Sequence, residues 1–312
     1  MDSNNLNFEV QSENQIEFST ETPDLGVADT PTADNEPAPK GLSKEEYNDP
    51  NKIQVHIDDE QTPLVVLFGP PACGKTMTLI RLVRFLQTKG YTVEPVRTFR
   101  PSDDSHYKTL CDGFNELICD NEAARSTDRI SYLLVKVLKN GKPICQILES
   151  PGEYLFNPRK PDQEFPRYVN YILNCKNRKL LTIMVEPDWR DPSDRMKYVA
   201  KINNKLLKKA RIKGLVIFNK IDITPYVGIG GHVNVSEARR YVKNLYPGIF
   251  EGFRNHNPIT KWWKEYLCDF LPFSTGDYSK ADDNVTIVYD QSDDIYPTRL
   301  WNKILKGVVT GW

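Results

Sequence analysis

The eight residues Gly69-Pro70-Pro71-Ala72-Cys73-Gly74-Lys75-Thr76 constrain this chain more than any other stretch, because they satisfy G-x-x-x-x-G-K-[ST] in full. Before them PLVVLF reads as a short buried strand; after them MTLIRLVRFLQTKG reads as an amphipathic helix ending at Gly90. Glycine lets the backbone wrap closely around an anion, while successive N–H groups and the helix N-terminus face it. The spacing places Lys75 to reach the β- and γ-phosphates of a nucleotide and Thr76 to ligate Mg²⁺. A strand, a glycine loop and a helix in that order open an α/β nucleotide-binding fold.

The rest of the chain continues the alternation. Tyr91 to Thr98 reads as extended, and residues 101–127 as irregular helix with only a moderate apolar face. ISYLLVKVLKNGKPICQILESPGE reads as two strands around Asn140-Gly141, a dipeptide whose members both tolerate positive φ, so an antiparallel neighbour is expected. LLTIMVEP is a further buried strand, DRMKYVAKINNKLLKKARIKG a helix with a basic polar face, and GLVIFNKID the next strand and loop. An insertion is expected from about Thr224 to Lys264, with a flexible GIGG turn and a helical stretch from Val235 to Leu245. YLCDFLPFSTG, NVTIVYD and PTRLWNKILKGV then supply a strand, an extra strand and a closing helix.

Two further motifs stand at strand ends. Asn219-Lys220-Ile221-Asp222 follows the apolar run Leu215 to Phe218, and here the chain resembles the P-loop GTPases, whose N-K-x-D element reads guanine. A carboxylate at Asp222 can accept hydrogen bonds from the ring N–H and exocyclic amine of guanine, a pair that adenine does not offer. Glu149-Ser150-Pro151-Gly152-Glu153 ends the strand Ile144 to Leu148 and looks like the D-x-x-G switch of the same family, with glutamate in place of aspartate. The resemblance covers roughly residues 62–310 and implies a three-layer α/β fold: a mostly parallel sheet with an antiparallel hairpin strand and helices on both faces.

By that resemblance the nucleotide-binding set is Gly69 to Thr76 together with Asn219, Lys220, Asp222, Ser274, Thr275 and Gly276. The metal set for Mg²⁺ is Thr76, Thr127 and Glu149, with Thr98, Thr109 and Ser126 competing for the place of Thr127. The catalytic roles fall on Lys75, Gly152 and Glu153, the last standing where Ras-like enzymes carry a water-positioning glutamine. Its negative charge beside the γ-phosphate can repel as well as orient, so slow turnover is expected. Arg97, Arg100 and Arg125 lie in the expected switch region, but none is marked as an arginine finger, which a partner can equally supply.

Composition sets the outer bounds. At 312 residues, 39% hydrophobic and 27% charged, the chain can bury one substantial core with little room for a second enzyme domain. Residues 1–50 carry twelve Asp and Glu against two Lys, a net charge of −10, so the total of −1 hides a body near +9. That composition predicts a disordered acidic tail over 1–50 and a single domain over 51–312. Leu64 to Phe68 and Leu180 to Val185 are the longest apolar stretches, too short for the roughly 20 residues of a membrane span, and the N-terminus lacks a secretory pattern. A cytoplasmic protein with reduced thiols is expected: the six cysteines form no Cys-x-x-Cys pair and the four histidines no zinc spacing.

The leading expectation is a molecular switch that binds GTP with magnesium, hydrolyses it slowly to GDP and changes its affinity for a protein effector or activating partner. The alternatives are an ATPase or small-molecule kinase on the same loop, and a GTP-binding scaffold with little hydrolysis. The basic run Lys201, Lys205, Lys208, Lys209, Arg211 and Lys213 reads as a solvated helix face before it reads as a nucleic-acid contact. Trp262-Trp263 and Trp312 read equally as a protein contact or as core filling.

Overall fold

A strand that is apolar at every position must be paired on both edges and covered on both faces, and β1 (Leu64–Phe68) is. The computed structural model describes residues 42–119, 132–189, 191–207, 213–228, 232–280, 287–291 and 293–309, all of which belong to one unit, Ala38–Trp312. Its strands are β1, β2 (Thr92–Pro95), β3 (Leu133–Lys139), β4 (Lys142–Glu149), β5 (Lys179–Val185), β6 (Lys213–Phe218), β7 (Cys268–Pro272), β8 (Asp277–Lys280) and β9 (Ile287–Asp290). The first seven form one sheet in the order β2-β3-β4-β1-β5-β6-β7, and β8 and β9 pair as a separate ribbon.

The five strands from β4 to β7 in that order run parallel. Only β3 runs opposite to the other six strands, pairing antiparallel with β2 on one side and β4 on the other. The turn expected at Asn140-Gly141 is the cause: φ is 51° at Asn140 and 72° at Gly141, the left-handed pair that a two-residue hairpin needs. The mostly parallel three-layer α/β architecture with one antiparallel hairpin strand is therefore the one this chain adopts.

The helices are α1 (Lys44–Asn48), α2 (Lys75–Thr88), α3 (Ser105–Asp112), α4 (Phe114–Cys119), α5 (Gly152–Leu155), α6 (Arg167–Asn174), α7 (Pro192–Lys201), α8 (Val235–Leu245) and α9 (Ile295–Val309). Every residue of α2 from Lys75 to Leu86 is buried, because it packs against β2, β4, α4 and α9. Its two arginines are used structurally: Arg81 donates to Gln291 Oε1 (2.6 Å) and the Asp293 carbonyl (2.9 Å), and Arg84 donates to the Ile118 carbonyl.

Three expectations are corrected. The boundary placed at residue 50 falls inside ordered chain, since Ser43 and Glu46 form a reciprocal capping box on α1 and Leu42, Ile53 and Ile57 are buried in the core. Glu46 also binds the buried Arg100 through both oxygens at 2.7 and 2.8 Å; the tail residues 1–41 lie outside the described set. The segment 224–264 is not simply an insertion. It holds α8, the crossover that parallel β6 and β7 require because a hairpin cannot join them. Finally, the expected basic helix ends as α7 at Lys201, followed by a wider π turn over Ile202–Leu206. Lys201 is buried 5.0 Å over the Phe165 ring and Lys205 pairs with Glu164, so neither is a solvated cation; Lys208, Lys209 and Arg211 lie outside the described residues.

Candidate nucleotide site

The loop Gly69–Gly74 joins β1 to α2 at the carboxyl edge of the parallel strands, where open α/β sheets bind ligands. Two of its residues take the left-handed conformation, Ala72 at φ 60° and Gly74 at φ 87°. Gly74 has a second reason to lack a side chain: a Cβ there would stand 2.3 Å from Asn219 Nδ2. Lys75 is buried at the start of α2, its ammonium held by the carbonyls of Gly69 (3.2 Å) and Pro70 (2.9 Å). Cys73 is fully buried, and burial pushes its thiol upward, which removes the thiolate a redox role needs.

Register carries the second motif to the loop. Leu67 of β1 pairs with Glu149 of β4, so Glu149 emerges beside the start of the loop. Thr76 Oγ1 donates to Glu149 Oε1 at 3.1 Å, while Glu149 Oε2 is buried without a hydrogen-bond partner. Burial pushes this carboxyl up from 4.5 to about 7; Lys75 and the Thr76 hydrogen bond act against it and the nearby Glu153 charge adds to it. A hydroxyl and a buried carboxylate with one spare oxygen fit a hard cation, which takes oxygen ligands. Among the described residues no three His, Cys, Asp or Glu side chains gather into a metal site by themselves, and Thr127 and Ser126 lie outside that set.

Gly152 opens α5 directly against the loop. A Cβ on it would lie 2.4 Å from the Pro71 nitrogen and 2.6 Å from Lys75 Nζ, so only glycine allows this approach. Glu153 follows, half-buried. Arg97 is ion-paired to Asp112 at 2.7 Å, and Arg100 is locked between Glu46, Asp104 and the Gln54 carbonyl; Arg125 lies outside the described residues.

The third motif meets the loop from the other side. Asn219, buried at the end of β6, donates from Nδ2 to the Cys73 carbonyl at 3.0 Å. Lys220 has φ 54° and its ammonium lies 2.5 Å from Glu186 Oε2 and 3.3 Å from Asp188 Oδ2. Asp222 is exposed toward the same space as Thr275, whose hydroxyl is 2.9 Å from Tyr278 OH. Gly276 accepts φ 137° because β8 and β9 fold back on it, with Asp290 O only 2.3 Å from where a Cβ would be; its N–H donates to Ser274 Oγ at 3.3 Å. One cavity of 420 Å³ joins these halves, lined on one side by Gly74, Lys75 and Thr76 and on the other by Asp222, Thr275 and Tyr278.

Sequence reasoning missed Glu186, Asp188 and Tyr278. The first two had a signal, since Glu-Pro-Asp directly follows a buried strand whose carboxyl end faces the loop. Tyr278 had none, because its place depends on the β8–β9 ribbon.

No family model matches this chain, and none of the curated proteins matches it in sequence. Solved structures align with it at low identity. Toc33 from Arabidopsis thaliana, in complex with Mg²⁺ and GMPPNP, aligns at 14% identity over 80% of this chain and 85% of its own, with a TM-score of 0.43. The signal recognition particle receptor SRb-GTP/SRX complex from Chaetomium thermophilum aligns at 12% over 79% and 98%, with a TM-score of 0.38. Methanosarcina barkeri Roco2 RocCORdC bound to GDP aligns at 13% over 83%, with a TM-score of 0.33, and this chain spans 55% of that structure. The strand order, the antiparallel β3 and the loop after β1 fix the architecture on this chain's own geometry. The fold is a three-layer α/β sheet fold with a phosphate-loop motif between its central strand β1 and helix α2. Fold alone assigns no activity, which has to be argued from the site.

Proposed function

We propose that this chain binds GTP with magnesium and hydrolyses it slowly to GDP, acting as a cytoplasmic molecular switch toward a protein effector or activating partner. The observation that carries the reading is the single cavity in which Lys75 and Thr76 at one end meet Asp222 and Thr275 at the other. Lys75 binds the β- and γ-phosphates, and the α2 N-terminus with the loop amides supports their charge. Asp222 accepts hydrogen bonds from the guanine edge, and Asn219 holds that edge at a fixed distance by its bond to the Cys73 carbonyl. Thr76 and Glu149 hold the magnesium, which when bound neutralises phosphate charge. Gly152, which packs against the loop, supplies the N–H that a γ-phosphate would hold and its loss would release. Calorimetric titration of the purified chain with non-hydrolysable GTP and ATP analogues and Mg²⁺ tests this. Guanine-selective binding is expected, and equal or adenine-selective binding sinks the reading in favour of an ATPase or small-molecule kinase.

A second reading, a GTP-binding scaffold with little hydrolysis, is favoured by one observation. Glu153 already raises the Glu149 carboxyl electrostatically, so its charge reaches the region where the γ-phosphate and attacking water would sit. Glu153→Gln removes that charge while keeping a polar group that can orient water. Single-turnover hydrolysis is expected to rise about tenfold in the variant, a modest share of what water positioning contributes. An unchanged or lower rate would mean that Glu153 is not the brake.

A further inference from the structure

The edge of the sheet opposite the nucleotide cavity carries an exposed apolar tip that the nucleotide reading does not use. Between α8 and β7 the chain forms a loop closed by a short stem: Asn255 N–H donates to the Glu265 carbonyl (2.8 Å), Leu267 N–H donates to the Phe253 carbonyl (2.6 Å), and Arg254 bridges Tyr266. The buried Asn255 side chain braces the interior by donating to Thr260 Oγ1 at 2.8 Å and the Lys264 carbonyl at 2.9 Å. Asn257 Oδ1 accepts from the amides of Ile259 and Thr260. Backbone and asparagine hydrogen bonds hold the loop, so its large side chains are not needed to fold it.

Those side chains stand in water. Trp262 is 84% exposed, Trp263 74% and Ile259 70%, with Leu267 at 48% beside the stem. Tryptophan is on average among the more buried side chains, so two adjacent ones presented this way on a braced loop mark a contact surface. The core-filling reading of this pair is excluded, and Trp312 lies outside the described residues.

Charge around the tip decides what it fits. The acidic groups here are engaged: Glu265 with Lys243 at 3.8 Å, Glu251 with Arg254 at 2.8 Å, and Asp269 with Lys303 at 3.2 Å and Lys306 at 3.6 Å. Lys261, Lys264 and Arg178 form no ion pair among the described residues. Lys264 and Arg178 lie on the same side of the sheet end, since both, with Lys306, push down the Lys213 ammonium that burial already lowers. Indole rings partition to the boundary between headgroups and acyl chains, and lysine and arginine beside them reach lipid phosphates. An exposed aromatic tip with Lys261 and Lys264 unpaired in the same loop matches that boundary better than it matches a pocketed protein partner, which supplies its own concavity for each anchor.

We propose that this loop is an interfacial anchor for an anionic lipid bilayer, with Ile259, Trp262 and Trp263 entering the headgroup layer and Lys261, Lys264 and Arg178 meeting lipid phosphates. Docking there leaves the nucleotide cavity, at the other ends of the strands, open to solvent and to partners. The inference does not rest on the nucleotide reading. No helix among the described residues is long and apolar enough to cross a membrane, so attachment of this kind is peripheral.

The test is co-sedimentation of the full chain with phosphatidylcholine vesicles, with and without phosphatidylserine, alongside tryptophan emission. Binding that requires the anionic lipid, weakens with added salt and shifts the emission to the blue is expected. Trp262→Ser with Trp263→Ser should weaken it about tenfold or more, from lost apolar burial. Lys261→Glu with Lys264→Glu should remove the preference for phosphatidylserine, since each lysine near such a surface is worth about fivefold. Both variants should keep the wild-type melting curve, because the Asn255 brace reaches Lys264 only through its backbone carbonyl, which the substitution leaves in place. Equal sedimentation with both lipids, no sedimentation, or full binding by the tryptophan variant overturns the proposal. So does a tryptophan-dependent dimer in velocity sedimentation without vesicle binding, which would make a second copy the partner.

Discussion

Asp222→Asn is expected to weaken binding of a GTP analogue by about 100-fold or more, while leaving the weaker binding of an ATP analogue where it was. The size of the effect follows from what the carboxylate faces. Asp222 is exposed, has no hydrogen-bond or ion-pair partner among the described residues, and lines the same cavity as Lys75 and Thr76. Two charge-assisted hydrogen bonds from guanine are worth about 1.5–3 kcal/mol each, so losing them accounts for that factor. Asparagine accepts through one oxygen and turns an amine toward the donors, which adds a mismatch that an apolar residue would not. The Asn219 brace and the loop amides are untouched, so phosphate affinity should persist. Calorimetry separates the outcomes. A loss confined to the guanine analogue supports base reading at Asp222, an equal loss for both analogues means the loop itself has shifted, and no loss places base recognition elsewhere in the cavity.

How far the sequence carried the argument differs by element, and the reason is local against non-local information. The loop from Gly69 to Thr76 and the Asn140-Gly141 hairpin were legible because positive φ, glycine and an apolar run are encoded within a few residues. The strands β1, β5 and β6 were legible for the same reason, being short apolar runs bounded by turns. Arg100 falls in the expected switch region, yet its guanidinium is spent on Glu46, 54 positions earlier, and nothing near it in sequence reveals that. The Glu186–Lys220 and Asp188–Lys220 contacts likewise join two strand ends that only the parallel β5–β6 pairing brings together. The segment 224–264 looked like an insertion because its helix is polar on one face and preceded by glycines; its necessity comes from the direction of β7, which one strand's sequence does not state. Burial was the least legible property. Lys201 and Trp262 would each be placed on the wrong side by residue type alone, since the lysine is buried over an aromatic ring and the tryptophan is exposed.

Glu149 gives the second large effect, and it is one of stability against pH in the nucleotide-free, metal-free chain. Its carboxyl is raised from 4.5 to about 7, first by burial, so the folded state holds a proton that the unfolded state releases at lower pH. Stability from this group is therefore full below about 4.5, falls as pH rises through the interval, and is lost above about 7. Glu149→Gln keeps a neutral group that can still accept from Thr76 Oγ1, and cannot ionise. The wild-type chain is expected to lose about 3 kcal/mol relative to this variant between those two values, with the difference constant on either side. Urea unfolding across the range, wild type against variant, reads the gap directly. Magnesium with nucleotide should close it above pH 7, because a bound divalent cation supplies the charge that the buried Oε2 lacks, and the variant should gain less from the same addition. A difference that stays flat with pH would mean that water reaches Glu149 and that its spare oxygen is not held ready for a cation. A gap that opens with pH but does not respond to magnesium and nucleotide would leave the strain real and remove Glu149 from the metal set, making Thr76 the only metal-set residue left among the described ones.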